Sequence, residues 1–128
     1  MSARSPFQYA ALRVVPRVER GESVNAGVVL FCRPLRFLGA RTQLDEELLA
    51  MLAPGCDPAA IRPLLRAAEL IAAGDPSGGP IAQLPASERF HWLVAPASTI
   101  VQPGPVHTGL TADPAAELDH LFAKLVER

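Results

Sequence analysis

Hydrophobic and polar positions alternate from Phe7 to Val15. Gln8, Ala10, Leu12 and Val14 fall on one side, and Phe7, Tyr9, Ala11, Arg13 and Val15 on the other. A period of two predicts a strand, and Pro16, which has no N–H to give, ends it. Residues 17–23 read as a polar turn in which Gly21 is free to take a positive φ. The chain then enters its most hydrophobic strand-like run, Val24 to Cys32. Strict alternation assigns Val24, Ala26, Val28, Leu30 and Cys32 to one face and Asn25, Gly27, Val29 and Phe31 to the other. Both faces are mostly apolar, which predicts a strand covered on each side for part of its length. Arg33-Pro34-Leu35-Arg36 turns the chain again, and Phe37 to Thr42 is a short third strand. The three together predict an antiparallel meander.

Beyond Thr42 the period changes. Asp45 is placed to cap a short helix, with Glu46 and Glu47 at its positive end and Leu48, Leu49 and Leu52 as its apolar side. Pro54-Gly55 breaks it. Asp57-Pro58 starts a second helix, an N-cap followed by proline at the first helical position. Ile61, Leu64, Leu65, Ala68 and Ile71 line one face of it, Pro63 interrupts the pattern, and Gly74 is the stop. Residues 75–80 are a Pro/Gly loop. Ser87 is a candidate cap for a short helix that carries Phe90, Leu93 and Val94 and ends at Ala95-Pro96. Ser98 to Gln102 reads as one more short strand, and Val106 to Leu110 as a loop. Asp113-Pro114 opens a last helix, with Leu118, Leu121, Phe122 and Leu125 as its buried stripe.

Strands followed by helices with one later strand predict a single α+β domain over residues 1–128, its helices packed on a mostly antiparallel sheet. Composition agrees: 49% hydrophobic residues in 128 is enough for a core. Net charge is −1, so no global field favours nucleic acid or an anionic membrane. The first residues, Met1 to Pro6, lead into a strand rather than an apolar signal core. No apolar run reaches the roughly 18 residues a membrane span needs. Two cysteines, Cys32 and Cys56, fit reduced thiols. The expectation is a soluble cytoplasmic protein.

Three polar clusters are candidates for chemistry, each with a plainer alternative. Arg17, Glu19, Arg20, Glu22 and Asn25 make either a site or a solvated turn with weak ion pairs. Asn25 stands out, because an amide in an apolar strand needs hydrogen-bond partners. Glu88-Arg89-Phe90-His91-Trp92-Leu93 reads mainly as helix core including Trp92, with Arg89 either paired in the structure or part of a site. Gln102-Pro103-Gly104-Pro105-Val106-His107-Thr108-Gly109 is a stiff irregular loop in which His107 serves as a general acid or base, or simply ties the loop together. Cys56 precedes a helix start that would favour its thiolate, yet it has no base beside it. Cys-x-x-Cys, His-x-x-x-His, phosphate-loop, dinucleotide and Gly-x-Ser-x-Gly patterns are all absent.

Three blocks, in order, carry a family resemblance. They are Tyr9 to Pro16 running through Glu19-Arg20-Gly21-Glu22 to Asn25-Ala26-Gly27-Val28; then Glu88-Arg89-Phe90; then Val101-Gln102 with His107-Thr108-Gly109. Together they resemble the bacterial family labelled domain of unknown function 3037, across nearly the whole chain. Ala26 stands where the family pattern has valine, and Gly104 where serine is common. The resemblance implies a small protein with no named reaction, its gene in some members neighbouring that of a HipA-like kinase. The recurring polar positions it carries over are Glu19, Arg20, Glu22, Asn25, Arg89, Gln102, His107 and Thr108.

Two functional readings follow, with nucleic-acid binding by a local arginine patch a weaker third that the balanced charge argues against. One is an accessory or interaction protein beside a kinase-like partner, its polar positions fixing the fold or an interface. The other is a small enzyme or ligand-binding domain for an anionic substrate. There Arg20 and Arg89 hold the anion, Glu19, Asn25, Gln102 and Thr108 complete the site, and Glu22 and His107 move protons. No cofactor is implied. Both lead to one geometric expectation. The turn after the first strand and the loop 103–109 meet at one end of the sheet, with His107 in hydrogen-bond reach of Glu19, Glu22, Asn25 or Arg89.

With isolated cysteines and well-separated histidines, no tight zinc site is expected. Elemental analysis of purified protein should show zinc far below stoichiometric; one zinc per chain would contradict this.

Overall fold

The structure, a computed structural model, describes residues 3–128. The lead-in reading of Met1 and Ser2 lies outside the described residues. The elements are β1 (Ser5–Val14), β2 (Val24–Cys32), β3 (Phe37–Thr42), α1 (Glu46–Leu52), α2 (Pro58–Ala73), α3 (Ala86–Val94), β4 (Val101–Pro103), β5 (His107–Thr111) and α4 (Pro114–Leu125). Two 3₁₀ turns, Pro76–Gly78 and Pro80–Gln83, fill the connection between α2 and α3. Among the described residues no helix is long and apolar enough to cross a membrane.

All strand pairings are antiparallel, in the order β3-β2-β1-β4, with β5 also on β1. The fold is α+β, as the order of elements predicts. β1 is bonded along both edges. β2 takes one, while β4 pairs Leu12–Val14 and β5 pairs Ser5–Tyr9 on the other. Bonding continues across the join, because Gly104 N–H donates to the Ala11 carbonyl at 2.8 Å. Of the later strand read at Ser98–Gln102 only Val101 and Gln102 fall in β4, and β5 is a further strand in a segment read as a loop. Its sequence, His-Thr-Gly-Leu-Thr, hides the strand behind a central glycine. That glycine is there for packing: a Cβ on Gly109 would lie 2.7 Å from the Phe7 ring.

A bulge reorganises the faces of β2. The register runs Ala11↔Val28, Leu12↔Gly27 and then Arg13↔Asn25, so Ala26 is an extra residue. Beyond it the alternation inverts. Asn25 joins the Val28/Leu30 face instead of the Gly27/Val29 face assigned by strict alternation, and Val24 moves the other way. A period-two reading cannot see an inserted residue.

Helices cover both faces. Ala10, Leu12, Val29 and Phe31 pack with α2 and α3 residues including Ala68, Ile71, Phe90 and Leu93. On the other side Phe7, Val28, Leu30 and Cys32 pack with Leu118, Leu121 and Phe122 of α4. Val14, Val24 and Ala26 meet Leu49 of α1 and Ile61 and Leu65 of α2. The aspartate caps are all made. Asp45 accepts from Leu48 N–H at 3.0 Å, Asp57 from Ala59 N–H at 3.0 Å and Asp113 from Ala116 N–H at 3.1 Å. α2 runs unbroken through Pro63, which is exposed along with Ala59, so solvent can serve the carbonyl that proline leaves unbonded.

Two apolar residues are not where their helices were expected to hold them. Leu64, on the flank of the α2 stripe, is 44% exposed, and Ala72 takes the buried position instead. Trp92 falls on the back of α3, opposite Phe90, and is 53% exposed. Ser87 does not cap α3, which begins at Ala86 without a side-chain cap.

Leu65 and Leu121 are buried in different clusters. Leu65→Ala and Leu121→Ala should each cost roughly 2–5 kcal/mol. Denaturant titration reads this directly, and an unchanged midpoint in either variant would contradict the packing of its helix.

Candidate functional site

The predicted site residues do not converge. Glu19, Arg20 and Glu22 lie on the exposed turn between β1 and β2. Arg20 Nε donates to Glu22 Oε1, and that bond, with the charge of the same carboxylate, raises the guanidinium further above its ordinary pKa. An ion pair this open to solvent is screened and adds little stability.

The expected meeting of this turn with loop 103–109 does not occur. β4 runs antiparallel to β1, so its first residue, Val101, stands opposite Val14 beside the turn, and Pro103 stands opposite Leu12. The loop thus lies at mid-strand. Further along, His107 faces Tyr9 and lies against its ring, with centroids 5.3 Å apart. Among the described residues it makes no hydrogen bond to Glu19, Glu22, Asn25 or Arg89. Thr108 pairs with Gln8 and so points to the opposite face of the sheet.

Arg89 is a fastener within the fold. From α3 it reaches the C-terminal end of α2, where helix carbonyls lack intrahelical partners. Its Nη1 donates to the carbonyls of Ile71 at 2.9 Å and Ala72 at 2.8 Å, and its Nε to Leu84 at 2.9 Å. Gly74, the left-handed cap at φ 71°, has no Cβ to block the guanidinium; one would stand 3.2 Å from Nη1. The fixed fork of arginine suits three carbonyls from two segments.

Asn25, Gln102 and His107 do share a surface. α4 packs on β2 and β3 and reaches Phe7 of β1, while on the same face Tyr9, Ala11, Arg13 and Gln102 stay half-buried and His107 exposed. Asn25, Arg13 and Gln102 stand in one row across three strands, since Arg13 pairs with both neighbours. Asn25 Nδ2 donates to the Leu125 carbonyl at 3.2 Å, and Gln102 Nε2 to the Thr99 carbonyl at 2.7 Å. Each amide is therefore held by backbone and keeps its carbonyl oxygen uncommitted. Arg13 is half-buried and has no hydrogen bond or ion pair among the described residues. A Cβ on Gly104 would lie 3.0–3.1 Å from Cζ, Nε and Nη2 of Arg13, so the guanidinium lies face-on against that glycine. The sequence reading does not place Arg13 or Tyr9 among the site residues. The available signal was their shared side in the alternation of β1 within the first resemblance block.

The opposite face carries a groove of about 520 Å³ between α2, α3 and β4. Leu64, Ala68, Trp92, Leu93, Val101 and Pro103 are among the residues that line it, nearly all apolar. Cys32 is buried and Cys56 half-buried, and both are free thiols. Among the described residues no three His, Cys, Asp or Glu side chains are grouped to hold a metal ion.

Comparison with known proteins gives one match. A family model described as "Protein of unknown function (DUF3037)" matches residues 9–126. No curated protein and no solved structure matches the chain.

The role of Arg89 is testable by stability alone. Arg89→Ala should cost roughly 1–3 kcal/mol, the cost of leaving helix-end carbonyls without their charged donor. Arg89→Lys should restore only part of it. Equal stability of wild type and Arg89→Ala in denaturant titration would contradict the fastening role.

Proposed function

Because the chain belongs to the DUF3037 family, whose description names no activity, we propose a function from its surface: an accessory protein that docks on a partner protein. The observation that carries this is the pair of large apolar side chains, Trp92 and Leu64, standing 53% and 44% exposed beside an apolar groove. A tryptophan with half of its surface left in solvent gains less from the fold than one in the core. At an interface the same side chain is the type that most often dominates binding. The separation of Arg89 and His107 from the turn that holds Glu19, Arg20 and Glu22 supports the same reading. A HipA-like kinase is the partner that the family resemblance suggests, in the cytoplasm of a bacterium.

The test is co-purification with a HipA-like kinase from the source organism, followed by titration of the pure proteins. Wild type should bind, and Trp92→Glu and Leu64→Glu should each weaken binding by roughly 30-fold or more, the scale of an interface hot spot. Circular dichroism should show both variants folded, since neither side chain is in the core. Binding that survives both substitutions would overturn the docking surface, and no binding by wild type would overturn the kinase partner.

A further inference from the structure

On the open face of β1, β4 and β5 we propose a binding site for a small phosphorylated ligand with a planar ring, of the mononucleotide class. It lies on the opposite side of the sheet from the Trp92 groove and is independent of partner docking.

Three observations meet there. The first is a cation without a protein partner. Arg13 is half-buried and flat against Gly104, yet no carboxylate or carbonyl pairs with it among the described residues. A guanidinium packed on one plane keeps its N–H edges for an acceptor in the plane, which is the geometry that binds phosphate oxygens in a fork. The second is an aromatic platform. The rings of Phe7, Tyr9 and His107 form a series with centroids 5.9 and 5.3 Å apart, and His107 at its end is exposed. An exposed ring at the end of such a series offers a face on which a heteroaromatic base can stack. The third is spacing. The backbone bond from Gly104 to Ala11 fixes Gly104 beside Ala11. Arg13 therefore leans back along β1 and brings its guanidinium to the level of Ala11, two residues from Tyr9. At the strand rise that is roughly 6–7 Å. One small ligand can span both.

The remaining groups fit the same class. Asn25 and Gln102 flank Arg13 in one row, each fixed by one N–H on backbone, with a carbonyl oxygen left to accept from a ligand hydroxyl. Ala11 and Gly104 keep the floor between cation and rings low. No nucleophile or carboxylate stands in this row, so the site is assigned binding and no reaction.

The experiment is titration of the full chain with each of the four ribonucleoside 5′-monophosphates, followed by amide NMR shifts and calorimetry. At least one should give saturable binding in the micromolar to millimolar range, with shifts at Tyr9, Ala11, Gly104 and His107. Arg13→Gln should weaken that nucleotide by tenfold or more while leaving the corresponding nucleoside unchanged. His107→Ala should weaken both nucleotide and nucleoside. Trp92→Glu should change neither. Both site variants alter exposed or half-exposed side chains, and their amide spectra report folding in the same samples. The proposal is overturned if no nucleotide saturates at millimolar concentration, if the shifts lie elsewhere, or if Arg13→Gln binds as tightly as wild type.

Discussion

The backbone hydrogen bonding of β1 is the constraint on which the rest of the structure depends. This strand is bonded along both edges, so its amides and carbonyls must find partners from two distant parts of the chain. β2 follows directly and supplies one edge. The other is supplied by residues 101–111, after three helices have intervened. That returning segment carries Pro103 and Pro105, which cannot donate, and so splits in two. Gly104 carries the bonding across the split, and its missing side chain gives Arg13 a flat surface to lie on. One backbone requirement thus places a cation, an amide and a histidine on a common face.

The second organising feature is the bulge at Ala26. It inverts β2 so that Asn25 turns toward α4 and reaches the carbonyl of Leu125. It also stands Asn25 in line with Arg13 and Gln102. Had the alternation continued, the amide would have entered the apolar layer under α2, where a lone polar group is costly.

Much of the fold was legible in the sequence because it rests on local chemistry. The limits of β2 and β3 follow from hydrophobic runs and their flanking turns. The starts of α1, α2 and α4 follow from aspartates whose side chains cap them, two with proline next in line. What was not legible depends on distant partners. β5 has no strand-like pattern of its own, and Gly109 in it answers to the ring of Phe7. Leu64 and Trp92 sit on helices whose apolar residues outnumber the buried positions, and only packing decides which are left out. The polar positions stand out in the sequence, but their grouping depends on register. Arg89 looked available for a ligand because the carbonyls that use it belong to another helix. Arg13 looked like an ordinary outward residue of a strand until β4 came back beside it.

The hydrogen bond between Asn25 and Leu125 closes a span of 100 residues, and β1 likewise waits for its second edge until β5 exists. In a chain made from its N-terminus, the meander of β1 to β3 emerges before the four helices, with Phe7, Val28 and Leu30 bare on one side. Among the described residues nothing on another helix covers that side until those of α4 have been added. Contacts so distant in sequence slow folding, because loop closure has to precede the stabilisation they bring. An apolar sheet face left open for that interval is the kind of surface on which nascent chains associate with one another or with chaperones. By packing on that face, α4 is therefore also what ends its exposure to aggregation, and truncation within α4 would leave an adhesive sheet rather than a slightly smaller domain.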